Sequence, residues 1–230
     1  MTLEQNVLPQ VFQMPFQDKN LHMQRTLRPI ANPLPKTEEV LYFGMEMISS
    51  FTDLSPENRM PIEFWDITQL NPGGEIIIPS TSELEYVDYY SPIGNLFERH
   101  ERYSIAKATG RHYYKIALPA LQLLGRVAYI NRYDETRYYT LIKQYNNNPS
   151  SPYCCEPADR PNLRGCSLFI YNDSGSLGGF TELEHSGQTI SDGSNILTSQ
   201  DQTLYWVYIG RFDQIRDIVK SFTGVVHDRV

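Results

Sequence analysis

Apolar and polar positions alternate with a period of two along most of this chain, the pattern of strands that bury one face. Leu21–Ile30 is one such run, ended by Pro29, Pro33 and Pro35. Glu38–Phe51 is a longer apolar-rich run in which Tyr42, Phe43 and Gly44 favour strand over helix. In Pro61–Leu70, Trp65, Ile67 and Gln69 share one face, and Phe64, Asp66, Thr68 and Leu70 the other. Asn71-Pro72-Gly73-Gly74 is a turn signal, and Glu75–Pro79 follows with three consecutive isoleucines, as suits a strand buried on both faces. These two runs are expected to pair as a β-hairpin deep in the fold.

Tyr103–Lys107 and Arg111–Leu118 continue the strand pattern. Leu124–Tyr133 and Arg137–Asn146 make the clearest hairpin, turning at Asp134-Glu135. Cys166–Tyr171, Gly178–Gly187, Gln188–Leu197 and Thr203–Gly210 read as further strands. Phe212–Phe222 carries a helical period in Ile215, Ile218, Val219 and Phe222, is stopped by Gly224, and is expected to dock on the sheet. Met1–Asn20 reads as a loose lead-in, and Asn147–Asn162 as a loop. Ser80–Glu98 is a long connection whose Tyr86, Tyr89 and Tyr90 are placed to wall a pocket. Roughly ten strands and one helix, with no internal repeat or linker, predict a single all-β domain over residues 1–230, a large antiparallel β-sandwich with a C-terminal helix.

The chemistry concentrates in Gly178–Gly187, GGFTELEHSG. Phe180, Glu182 and Glu184 share one face of this strand; Thr181, Leu183 and His185 share the other. Two carboxylates two positions apart repel, so one is expected to hold a proton more tightly than a free glutamate. Such a pair serves general acid–base chemistry, grips sugar hydroxyls, or is simply a solvated strand face. His112 shares a face with Tyr114, and Lys115 shares the opposite face with Tyr113. A single histidine so placed is more often a surface or hydrogen-bonded structural residue than a catalytic group.

Composition narrows the classes. Net charge is −7 and no basic patch interleaves with aromatics, so nucleic acid is not an expected partner. No apolar run approaches the ~18 residues a membrane span requires. Met1–Gln10 lacks the basic and apolar segments of a secretory signal. Three cysteines, Cys154, Cys155 and Cys166, make no disulfide framework, and as reduced thiols they favour the cytoplasm. Metal-ligand spacing, a phosphate-binding glycine loop and a nucleophile elbow are missing from the pattern, so no metal or cofactor is expected. Aromatics are abundant, with Tyr 16, Phe 10 and Trp 2. Tyrosine suits half-buried strands. A Tyr-rich sheet face also suits sugar, whose C–H faces pack on rings while its hydroxyls need polar partners.

Four blocks carry a resemblance: WDITQLNPGGEIIIP (Trp65–Pro79), LLGRVAYI (Leu123–Ile130), YTLIKQYNNNPSSPY (Tyr139–Tyr153) and SLFIYNDSGSLGGFTELEHSG (Ser167–Gly187). In that order and spacing they resemble the later part of an uncharacterised bacterial family of the galactose mutarotase-like (aldose 1-epimerase-like) superfamily, over approximately Leu21–Gly224. The last block is the most specific. The resemblance implies a twisted β-supersandwich whose concave sheet binds carbohydrate. It also implies a base for the anomeric hydroxyl: the epimerase Leu-Glu pair is matched by Leu183-Glu184, making Glu184 the candidate. Glu182 beside it would bind a hydroxyl or tune Glu184. Arg126, Trp65 and Gln69 would add contacts to the sugar. The epimerase histidine motifs are not matched: the region equivalent to one is Trp65–Leu70, which holds no histidine, and the early one has no counterpart. The proton donor is therefore open among His112, His185 and Lys115. Relatives are commonly longer at the N-terminus, so early strands are expected to be missing and a homodimer to cover the edges left exposed. The functions this leaves are an isomerase acting on the anomeric centre, a carbohydrate-binding protein without chemistry, and a structural β-domain.

Overall fold

The computed structural model describes residues 1–7, 20–35, 39–55, 63–151, 153, 165–187, 189–191 and 197–228. Among these the strands are β1 (Thr2–Val7), β2 (Leu21–Pro29), β3 (Leu41–Asp53), β4 (Trp65–Leu70), β5 (Gly74–Pro79), β6 (Val87–Asp88), β7 (Phe97–Arg99) and β8 (Tyr103–Ala108). They continue with β9 (Tyr114–Pro119), β10 (Arg126–Arg132), β11 (Tyr138–Tyr145), β12 (Cys166–Asn172), β13 (Thr181–Ser186), β14 (Thr189–Ser191) and β15 (Leu197–Gly210), and the chain closes with helix α1 (Phe212–Thr223). All paired strands are antiparallel. The large sheet runs β1-β2-β3-β15-β11-β10-β5-β8-β7, with β14 added to β15; the small sheet runs β4-β13-β12-β9-β6. This is the all-β, two-sheet architecture with one C-terminal helix that the alternation predicts.

The large sheet is buried on both faces over its centre. On its inner side Ile76, Ile78, Val127, Tyr129 and Tyr145 meet Leu70, Ile116, Leu118, Leu168, Ile170 and Leu183 of the small sheet. On its outer side Ile77, Ala128, Ile130, Ile142, Trp206 and Tyr208 receive Ile215, Ile218 and Val219 of α1. The three isoleucines of β5 thus serve two cores at once, which is why they run without a polar break. Gly224 ends α1 in the left-handed conformation at φ 74°, its N–H donating to the Lys220 carbonyl.

Two expectations need correction. The turn after Leu70 does not make a hairpin: β4 pairs with β13 in the small sheet, while β5 pairs with β8 and β10 in the large one. The Asn71–Gly73 turn carries the chain across the sandwich, and its carbonyls are taken up by the other sheet. Tyr129 Oη donates to the Asn71 carbonyl, and Asn131 Nδ2 donates to the Pro72 carbonyl at 3.0 Å. A tight turn fixes reversal of direction, not which sheet supplies the partner. The start of the chain is likewise not all lead-in, since Thr2–Val7 pairs in register with β2. An edge strand is held by backbone bonds along one side and needs no apolar face, so its polar sequence gives no strand signal.

The segment before β13 is fixed by its backbone. Asp173 accepts the N–H groups of Gly175, Leu177 and Gly179, each at 3.0 Å. Burial would raise its carboxyl, but these donors outweigh it and hold the group below the usual carboxylate range. Gly179 and Gly110 then pass so closely that a Cβ on Gly110 would lie 2.5 Å from the Gly179 carbonyl oxygen, and Gly110 adopts φ 61°. This contact, with Asn172 accepting the Gly110 N–H at 2.9 Å, locks the β12–β13 connection against the start of β9.

Candidate functional site

Strand pairing lines up the side chains on the outer face of the small sheet, the face turned away from the large one. Gln69, Glu182, Tyr171 and Lys115 form one row, and Ile67, Glu184, Phe169 and Ala117 the next. Glu184 points outward yet is only 1% exposed, because its neighbours close over it. Lys115 reaches across β12, its Nζ 5.4 Å from the Phe169 ring centre, and donates to Glu184 Oε2 at 2.7 Å. Trp65 Nε1–H donates to the same oxygen at 2.8 Å, and Lys115 Nζ lies 4.9 Å from the Trp65 ring centre. The indole is pinned by its N–H while 53% of the residue stays exposed. Gln69 Nε2 donates to Glu182 Oε1 at 3.3 Å.

Burial pushes the Glu184 carboxyl above the usual range; Lys115 and Trp65 pull it back, and the nearby Glu182 charge adds to the rise. The direction is the one expected for paired carboxylates, but burial, not repulsion by Glu182, is its first cause.

Aromatic rings extend the face toward β6. Tyr90 and Tyr113 stack at 4.8 Å with planes 10° apart, and Tyr171 stands edge-on to both. Tyr89 packs on Phe169. Of the three tyrosines expected to wall a pocket, Tyr89 and Tyr90 belong to this face, while Tyr86 packs on Phe97 against the core between the sheets.

The other face of β13 does something different. His185 points between the sheets, opposite to Glu184, and its Nε2 lies 2.7 Å from Asp201 Oδ2. Beside it Lys143, at 0% exposure, donates to Asp66 Oδ1 at 2.6 Å, Thr68 Oγ1 at 3.0 Å and the Leu183 carbonyl at 3.2 Å. Tyr205 Oη donates to Asp66 Oδ1 at 2.8 Å. Burial draws the Lys143 ammonium below its ordinary value against the pull of Asp66. Burial would raise Asp66, but Lys143 and its other neighbours hold it below the carboxylate range. Burial and the adjacent Lys143 charge lower the His185 pKa, keeping the ring neutral.

That last shift sets a pH dependence. An unfolded chain takes up the His185 proton near the ordinary 6.5, whereas the folded protein refuses it until lower pH. Between those values the unfolded state binds more protons, so folding stability falls as pH drops below 6.5. Proton NMR, with His185→Gln to assign the signal, should show the His185 ring still neutral after the pH has passed below 6.5. A His185 ring that takes up its proton at 6.5 or above would contradict the assignment.

The structure therefore brings together Glu184, Glu182, Trp65, Gln69 and Lys115, and leaves three other candidate residues apart. His185 faces the interior. Arg126 lies on the helix side of the large sheet, where its guanidinium donates to Gln144 and, at 2.8 Å, to the Phe222 carbonyl in the last turn of α1. His112 is exposed in the segment before β9, its carbonyl accepting from Asn172 Nδ2 at 2.5 Å. Cys166 is buried in β12 beside Ala117 and Phe169; Cys154 and Cys155 lie outside the described residues. Sequence reading passed over the buried Lys143 network, although alternation with Leu141 and Tyr145 already turned Lys143 inward. Phe169 and the Tyr90–Tyr113 stack were also missed as a unit, because the pairing of β9 with β12 is non-local.

Among the described residues no group of three or more His, Cys, Asp or Glu side chains is placed to hold a metal ion, and no helix is long and apolar enough to cross a membrane. Fold and face together define a two-sheet antiparallel β-protein that presents aromatic rings and hydrogen-bonding groups on the outer surface of its smaller sheet. No family model, no curated protein and no solved structure matches the chain.

Proposed function

We propose that this protein binds carbohydrate on the outer face of the small sheet, and that it belongs to the galactose mutarotase-like superfamily its sequence blocks resemble. One observation carries the reading: the Trp65 ring is held by its N–H against Glu184, with Lys115 Nζ 4.9 Å from the ring centre and 53% of the residue exposed, on the same sheet face as Glu182 and Gln69. A pinned ring offers a sugar's C–H face an apolar surface at little entropic cost, and the surrounding donors and acceptors suit its hydroxyls. Three cysteines without a disulfide framework favour a cytoplasmic protein, and β4 and β6, the end strands of the small sheet among the described residues, are the edges a homodimer would cover.

A second reading, catalysis at the anomeric centre with Glu184 as base, draws on the raised pKa of that carboxyl. Binding without chemistry has the better support. Glu184 Oε2 already accepts from both Lys115 and Trp65, and His185 is turned to the opposite side of the strand.

NMR of reducing sugars with the intact protein separates the two in one sample. Saturation transfer to the sugar with anomer exchange at the buffer rate is the expected result. Exchange accelerated by the protein and abolished in Glu184→Gln would establish the base. Absence of both signals from folded protein would remove carbohydrate altogether.

A further inference from the structure

The small sheet carries its exposed rings in two places. Trp65 stands at the start of β4, in the row of Ser186 at the end of β13. Tyr113 immediately precedes Tyr114, which pairs with Asn172 at the far end of β12, in the row of Leu70. The two positions therefore occupy opposite corners of the four strands β4-β13-β12-β9. The Trp65 ring leans across β13 to within 4.9 Å of Lys115 Nζ, but along the strands the rows of Trp65 and Leu70 are five residues apart, roughly 17 Å, which exceeds a single pyranose ring.

Both ends are built rather than loose. Trp65 is tied to Glu184. At the other corner Tyr90 is 49% and Tyr113 42% exposed, yet the two rings lie parallel and Tyr171 props them edge-on at 6.3 and 6.0 Å. The row between the corners is polar: Gln69, Glu182 and Lys115 flank Tyr171. Its charges, with Glu184, are two carboxylates against one ammonium, a balance that repels uronates and sugar phosphates.

Resting on the carbohydrate reading above, we propose that the ligand is a neutral, extended oligosaccharide lying diagonally across the small sheet, one sugar on Trp65 and a later one on the Tyr90–Tyr113 platform. Neither ring cluster alone fills the site. Single sugars occupy one end and bind weakly, and affinity grows with chain length until both ends are reached.

Calorimetric titration of the full chain with β-1,4-linked gluco-, xylo- and manno-oligosaccharides of increasing length tests this. Affinity for at least one series should rise by roughly tenfold or more once the chain spans both clusters. Tyr113→Ala should then cost roughly tenfold for the long chains and remove the gain in affinity with chain length. Trp65→Ala should weaken single sugars and long chains alike, with both variants shown by circular dichroism to be folded at the titration temperature. Equal affinity for one sugar and for six, or a Tyr113→Ala variant that binds the long chains normally, would overturn the extended site while leaving sugar binding intact. No heat with any length from folded protein would overturn both.

Discussion

Replacing Lys143 with methionine is expected to destabilise the protein by about 3–5 kcal/mol, the cost of leaving one member of a buried ion pair alone. The ammonium is fully enclosed, and its three donors are all used, on Asp66, Thr68 and the Leu183 carbonyl. Methionine fills the same space but supplies none of them, so Asp66 keeps a charge between the sheets with Tyr205 as its remaining close donor. Against a total stability of roughly 5–15 kcal/mol, this is a large fraction. Adding Asp66→Asn should restore much of the loss, since the amide oxygen still accepts from Tyr205 and no charge is stranded. Urea midpoints of the two variants check this. A double variant less stable than Lys143→Met would mean that Asp66 contributes something other than its charge.

The second large effect falls on the outer face. Glu184→Ala should cost about 3 kcal/mol, because Lys115 loses its partner while only partly able to reach water. Glu184→Gln should cost much less: its carbonyl oxygen still accepts from Lys115 and Trp65, and it avoids the burial that raises the carboxyl pKa. The contrast between the two variants, read as unfolding free energies, is the prediction. Equal losses would show that the carboxylate charge, not its accepting oxygen, holds the face together.

Alternation made much of this face legible. It placed Trp65, Ile67 and Gln69 together on one strand and Glu182 with Glu184 on another, and the pairing of β4 with β13 aligns those two sets. The helical period of Ile215, Ile218 and Val219 likewise identified helix α1 and its buried side. What periodicity does not contain is which strands meet. Lys115 reaches Glu184 only because β9 pairs with β12 and β12 with β13, a set of contacts between residues far apart in sequence. The same gap explains why Trp65–Leu70 was expected beside Glu75–Pro79, and why Arg126 was expected near a sugar when it holds the end of α1. His185 is the instructive case. Its opposition to Glu184 was readable from the strand itself, and the resemblance to an acid–base enzyme set that geometry aside.

The chain holds two tryptophans, and their indole N–H resonances report on opposite sides of the molecule: Trp65 on the outer face of the small sheet, Trp206 packed on Phe222 of α1. An amide-correlation NMR titration with the oligosaccharides above, with Trp65→Phe to assign the peak, tests the central claim most directly. Sugar binding on the proposed face shifts the Trp65 indole and leaves that of Trp206 in place. A shift of Trp206 alone, or two unmoved peaks at saturating sugar, would contradict it.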